Sequence, residues 1–241
     1  MVIVLTSSAT LRSRVSAETV ASSGSNALGL RDEFTGSPFL RWEVVRPDST
    51  HVSFDKNPGA LTITTQRGSI HRNEKSDRLG EGIQAKNIYL INNPVSEDVD
   101  FVVTTKIEGF RPTMRFQQAG LILYEDDDNY LKWGYEYNWP AGKGQGYCVL
   151  TETDAVSSFR YAEANTNSDE HWLRITKRGG RFEYSYSVDG ESFFVAGSVA
   201  WGNRTPSRIG ILAKNGGSPT ATELDVQFDF FEVKLIPASS R

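Results

Sequence analysis

The sequence predicts an all-β protein built as two antiparallel sheets packed face to face, and three observations predict it. From Arg31 onward, short alternating or apolar runs are separated by Gly, Pro, Asn and Asp, and helical periodicity is nowhere sustained. The segment 119–139, AGLILYEDDDNYLKWGYEYNW, sets an apolar run, an acidic turn and then Leu131, Trp133, Tyr135, Tyr137 and Trp139 at every second position. Side chains alternate across a strand, so these aromatics share one face of a β-hairpin while Lys132, Gly134, Glu136 and Asn138 share the other. Residues 181–188 repeat the design, with Phe182, Tyr184, Tyr186 and Val188 alternating with Arg181, Glu183, Ser185 and Ser187. A face this aromatic needs a second sheet to cover it. With about a dozen strands, each having one buried and one wet side, a sandwich fits better than a small barrel.

Each run justifies a strand in turn. Residues 42–45, 51–54 and 60–65 are short apolar or alternating runs around the Asn57-Pro58-Gly59 loop. Residues 87–91 and 101–107 are rich in Val and Ile, which favour strands. Residues 118–124 and 130–137 form the aromatic hairpin, and 146–152 follows it. Residues 171–177, 181–187 and 193–199 read as a three-stranded meander, because Lys177-Arg178-Gly179-Gly180 and Val188-Asp189-Gly190-Glu191 are tight-turn sequences. Residues 208–213 and 223–235 complete the set. The stretch 68–82 reads as a long polar connection and 214–219 as a loop.

A length of 241 residues with 38% hydrophobic and 11% aromatic content supports one large domain, here set at residues 29–237 between a leader, 1–28, and a short tail, 238–241. The Ser/Ala/Thr/Gly-rich leader has too short an apolar run for a signal peptide. Location in the cytoplasm is the expectation from the sequence as given, and export the expectation if the start is truncated. A formal net charge of −4 with both signs interspersed offers no basic field for nucleic acid and no polybasic grip for a membrane surface. The single cysteine, Cys148, lies in an aliphatic strand and reads as a buried inert thiol.

Three pieces in order carry a resemblance: Asp32-Glu33-Phe34 with Trp42; Ala119 to Leu123 followed by Asp127 to Glu136; and Trp172-Leu173-Arg174-Ile175 followed by Tyr184 to Gly190. Together they resemble the concanavalin A-like lectin/glucanase superfamily, most of all the β-sandwich domain at the C-terminus of β-xylosidases and related bacterial domains of unknown function. The resemblance implies a jelly-roll sandwich with a concave and a convex sheet and a sugar-associated role. It also implies Trp42 and Trp172 as structural residues, and a possible calcium ion of structural role held near Asp32 and Asp229. It does not imply catalysis, since the Glu-x-Asp-x-x-Glu or Glu-x-Asp-x-Glu strand of the glucanases is absent.

The candidate ligand residues are Lys132, Glu136, Asn138, Trp139 and Trp201. On a wet sheet face, Gly134 would leave room for a ring while Lys132, Glu136 and Asn138 hydrogen-bond hydroxyls; the alternative is a same-face charge pair of Lys132 and Glu136. Trp139, followed by Pro140 to Gly144, and Trp201, at a strand end, could stack on a sugar ring at a loop mouth. Glu125, Asp126, Asp127 and Asp128 read as a solvated turn, because a retaining glycosidase needs two carboxyls about 5–5.5 Å apart beside an apolar wall. His51, His71 and His171 are scattered without metal-ligand spacing, and only His71 falls where a cleft is plausible. The expected function is therefore a non-catalytic module that binds an oligo- or polysaccharide. The alternatives are a structural or protein-interaction module without sugar affinity, and a glycoside hydrolase pairing Glu136 with Glu183.

Overall fold

The computed structural model describes residues 29–70, 83–96, 99–138, 144–163, 168–201 and 205–237. Strands run through them in the order β1 (Gly29–Asp32), β2 (Glu43–Val45), β3 (Val52–Ser53), β4 (Leu61–Thr64), β5 (Ile88–Asn92), β6 (Phe101–Glu108), β7 (Gln118–Asp126) and β8 (Asn129–Asn138). They continue as β9 (Gly144–Thr153), β10 (Val156–Glu163), β11 (Glu170–Arg178), β12 (Arg181–Ser187), β13 (Phe194–Ala200), β14 (Arg208–Lys214) and β15 (Asp225–Leu235). Two of these, β1 and β10, are strands that the sequence reading did not contain. GLRD is too short to show a period, and VSSFRYAE carries too few apolar residues to stand out from a loop.

The strands form two antiparallel sheets. The first runs β13-β12-β11-β6-β15-β4-β3, with β1 also paired to β15, and the second runs β10-β9-β8-β7-β14-β5-β2. The expected meander is the β11-β12-β13 end of the first sheet. Its Asp-Gly turn is held by Asp189, whose carboxylate accepts from the backbone N–H of Glu191 and Ser192, while Gly190 takes φ +77°.

Alternation decides which side chains fill the space between the sheets. From the second sheet come Leu121, Leu123, Leu131, Trp133, Tyr135, Tyr147, Val149, Ile209 and Ile211; from the first come Leu61, Ile63, Val103, Leu173, Ile175, Phe182, Tyr184, Phe228 and Phe231. The aromatic face of β8 is thus core, as its sequence requires. Trp133 lies 5.0 Å from the Tyr184 ring, and its Nε1–H donates to the Ser185 carbonyl at 2.8 Å, tying β8 to β12 across the sandwich. Burial of one indole contributes about 3 kcal/mol of apolar transfer, and the bond removes the penalty its N–H would otherwise carry.

Trp201 belongs to this core. It is 3% exposed and its Nε1–H points at the Glu152 carbonyl and Thr153 Oγ1 at 3.3 and 3.2 Å. The expectation of a sugar-stacking ring at a loop mouth is corrected by that burial, since neither ring face is offered to solvent. The acidic turn between β7 and β8 is also less solvated than expected: Asp127 pairs with the Arg46 guanidinium at 2.8 and 3.0 Å and accepts from Tyr124 Oη and Gln84. Arg46 follows β2, so the pair fastens one edge of the second sheet to its central hairpin.

Candidate functional site

The outer face of the second sheet is divided in two. Over β5, β14 and β7 it is apolar: Ile88, Leu90, Ile122, Tyr124, Tyr130 and Leu212 are covered by Ile70 and Ala85 from the segments flanking residues 71–82. Over β7, β8 and β9 it is polar, and here register lines up Lys214, Gln118, Glu136 and Gly146 in one row, with Leu212, Gly120, Gly134, Cys148 and Tyr161 in the next. Lys132, Leu150 and Phe159 form the third row.

Two glycines make the floor. A Cβ at Gly120 would lie 2.3 Å from the Trp133 carbonyl oxygen, and one at Gly134 2.7 Å from the Ala119 carbonyl oxygen. Neither position tolerates a side chain, and a small hollow beside them is lined by Gln118, Lys132, Glu136, Cys148 and Leu212.

The expectation of a wet face is corrected here. Lys132 is 7% exposed and Glu136 3% exposed, and Gln118 stands between them, accepting from Lys132 Nζ and donating through its amide nitrogen to Glu136. Burial pushes the Glu136 carboxyl above the ordinary glutamate range, with Lys132 and Lys214 opposing. Burial also lowers both lysines, Lys214 well below its usual value with Lys132 adding repulsion. Tyr161 reaches Glu136 from β10, and burial raises its phenol. The Cys148 thiol is pushed far up by burial and by Glu136, which keeps it protonated and inert, as its aliphatic strand suggests.

Phe159 is 51% exposed on the same face, 5.4 Å from Tyr161 in an edge-to-face pair. These two rings, with Gln118 and Lys214, are site residues that sequence reasoning missed. The phenylalanine and tyrosine two positions apart in SSFRYAE were the available signal. The remaining candidates divide. Asn138 ends β8 opposite Gly144, and its side chain, like Trp139 and His71, lies outside the described residues.

Glu183 cannot face Glu136. It lies on the outer face of the first sheet, with Phe182 and Tyr184 pointing inward, so the whole core separates the two carboxylates. Glu152 shares the face of Glu136 but pairs with Tyr130, six residues along the hairpin, about 20 Å away at the strand rise. Neither meets the spacing a glycosidase pair needs.

Asp32 and Asp229 do not converge on a common point. The Asp32 carboxylate, 1% exposed, accepts from the N–H of Phe34 and Leu40 and from Trp42 Nε1 at 3.1, 3.0 and 2.9 Å. Asp229 sits in the bulge of β15 with Lys106 at 3.8 Å. Among the described residues no group of three or more His, Cys, Asp or Glu is arranged to hold a metal ion. Trp42, between Phe34, Tyr89 and Phe231, is structural as the resemblance implies.

Comparison with known proteins agrees with this architecture. A family described as "Protein of unknown function (DUF1349)" matches residues 53–236. The GH43 protein BlXynB of Bacillus licheniformis is similar at 23% identity and a TM-score of 0.69, over 86% of this chain and 39% of that one. A functionally unknown protein from Saccharomyces cerevisiae is similar at 18% identity and a TM-score of 0.60, over 82% of this chain and 97% of that one. The β-glucanase of Bacillus licheniformis is similar at 11% identity and a TM-score of 0.58, over 87% of this chain and 99% of that one. This chain therefore spans about two-fifths of the GH43 protein's length. No curated protein sequence matches it. These likenesses establish the concanavalin A-like jelly-roll sandwich.

Proposed function

From the premise that this chain belongs to the DUF1349 family of concanavalin A-like β-sandwiches, we propose that it is a non-catalytic module that binds carbohydrate on the outer face of its second sheet. One observation carries the reading: a glycine-floored hollow lined by Lys132, Gln118 and Glu136 shares its sheet face with the exposed ring of Phe159. A sugar needs both parts. Its hydroxyls take acceptors and donors at fixed positions, and its apolar ring face takes an aromatic platform. The GH43 neighbours support a sugar-associated role, and the distance of Glu152 and Glu183 from Glu136 favours binding over hydrolysis by either pair.

The test is isothermal titration of the protein with xylo-, gluco- and galacto-oligosaccharides, with product analysis of the same solutions. Saturable heat without hydrolysis is expected, and Glu136→Gln and Phe159→Ala should each weaken it about tenfold, the effect of one hydrogen bond to a charged group or one stacked ring. Released sugar, or equal affinity in both variants, would refute the assignment.

A second reading rests on the sandwich edge. Val156 and Phe159 on β10 and Phe194 and Val195 on β13 are exposed at the outermost strands of the two sheets, as a protein-interaction module would present them. Val156→Ser with Val195→Ser would abolish partner binding on that reading and leave sugar affinity intact.

A further inference from the structure

We propose that two copies of this chain join through strand β10, whose free edge pairs antiparallel with itself across a two-fold axis at Phe159. The partner is a second copy of the chain, and the inference holds whether or not the outer face binds sugar.

The four sheet edges are guarded unequally. An edge strand leaves backbone N–H and C=O groups free to template another chain, and folds guard it by shortening the strand, bulging it or charging it. At one end of the sandwich the edges are β2 and β3, of three residues and two. At the other end they are β13 and β10, on the same side because Phe194 of β13 stacks on Tyr186, which stacks in turn on Tyr147 of β9. The β13 ladder is broken by a register shift between Tyr184 and Ser185. The β10 ladder has no such break: it pairs with β9 from Val156 to Glu163 without a shift, and among the described residues no strand pairs with its other side. Of the six large hydrophobic residues exposed among the described residues, four lie at this end: Val156, Phe159, Phe194 and Val195. An apolar patch beside an unguarded edge marks an interface.

The residues of β10 name the occupant. Its stretch VSSFRYA, residues 156–162, contains one charge, Arg160. When a two-fold axis pairs a strand with its own copy, opposed side chains must share a face, so the axis passes through a residue. An axis at Arg160 sets that guanidinium against its own copy, one at Ser158 sets it against Val156, and one at Tyr161 sets it against Ala162. An axis at Phe159 instead places Ser158 opposite Arg160, Val156 opposite Ala162, Ser157 opposite Tyr161 and Phe159 opposite itself. That register pairs all of residues 156–162, gives Arg160 a hydroxyl acceptor and gives exposed Val156 an apolar neighbour. The two Phe159 rings, each 5.4 Å from its own Tyr161, then meet at the axis, and the second sheets of both copies become continuous.

Sedimentation equilibrium of the full chain up to about 0.1 mM should give twice the chain mass of 26.8 kDa. Ser158 is exposed, so its variants keep the fold, as an unchanged circular dichroism spectrum would verify. Ser158→Arg sets guanidinium against guanidinium and should raise the dissociation constant about tenfold, because the symmetry repeats the pair. Ser158→Arg combined with Arg160→Glu should restore association to the wild-type level. A wild-type monomer across the whole range overturns the inference and leaves the edge to a different chain. A dimer broken by Val195→Arg and untouched by Ser158→Arg overturns it in favour of the β13 edge. A double variant that associates no more tightly than Ser158→Arg alone overturns the Phe159 register.

Discussion

His171 is fully buried, stacked 3.8 Å from the Tyr135 ring, and its Nδ1 meets the Tyr147 hydroxyl at 2.8 Å. Burial lowers its pKa from 6.5 to about 4, so the folded protein holds a neutral imidazole over a window in which the unfolded chain is protonated. The unfolded state then binds more protons, and the stability contributed is complete above the unfolded value and lost as pH falls toward about 4. Between pH 7 and pH 4.5 this amounts to about 2 kcal/mol, and His171→Phe should remove that part of the pH dependence in urea unfolding curves. An unchanged slope would mean the imidazole is hydrated in the fold. Asp32 gives a second prediction at this scale. Its carboxylate satisfies three N–H donors in a buried corner, so Asp32→Ala should cost about 3 kcal/mol or more by chemical denaturation. Neither residue's environment was legible in the sequence. The alternation of β8 announced Trp133 and Tyr135 as core, but Trp201 stands alone beside a glycine and an asparagine, and only the chain's return across β9 buries it.

At the scale of elements, the glycines of the second sheet separate packing from conformation. A Cβ at Gly210 would lie 1.8 Å from the Tyr89 carbonyl oxygen, so Gly210→Ala must push β14 off β5 and should destabilise the fold by about 3 kcal/mol. Gly179 is the contrast: it takes φ +55° in the β11–β12 turn with open space around it, so Gly179→Ala should cost only about 1 kcal/mol, measurable as a small shift in the melting curve. The strong strands were legible because period-2 alternation over six or more residues has no other reading. β10 was not, because its alternation is carried by Phe159 and Tyr161 alone among serines and an arginine, and its partner β9 supplies the rest of its burial. Missing β10 meant missing half the candidate site. The polar face of β8 was legible as a set of residues, but its burial was not, since Lys214 arrives from a strand far away in sequence and Tyr161 from β10, whose pattern does not stand out.

The whole molecule is a sandwich whose two outer faces differ in kind. The outer face of the first sheet carries solvated charges such as Glu183, Asp229 and Lys234, whereas that of the second buries Lys132, Glu136 and Lys214 around a bare glycine floor. Burial shifts all three groups away from their ordinary pKa values, and a cluster of perturbed ionisable groups beside an exposed aromatic ring points to recognition. The fold class follows from patterning alone, because each strand's own residues define its buried side. The site depends on register between distant strands, which no local pattern encodes. Ligand binding on the outer face of the second sheet is read residue by residue in a two-dimensional amide NMR titration with the tightest of the xylo-, gluco- and galacto-oligosaccharides. The predicted result is saturable shifts at Lys132 to Glu136, at Cys148 and at Phe159 to Tyr161, with β12 and β13 unmoved. Shifts confined to the first sheet, or none at millimolar ligand, would contradict it.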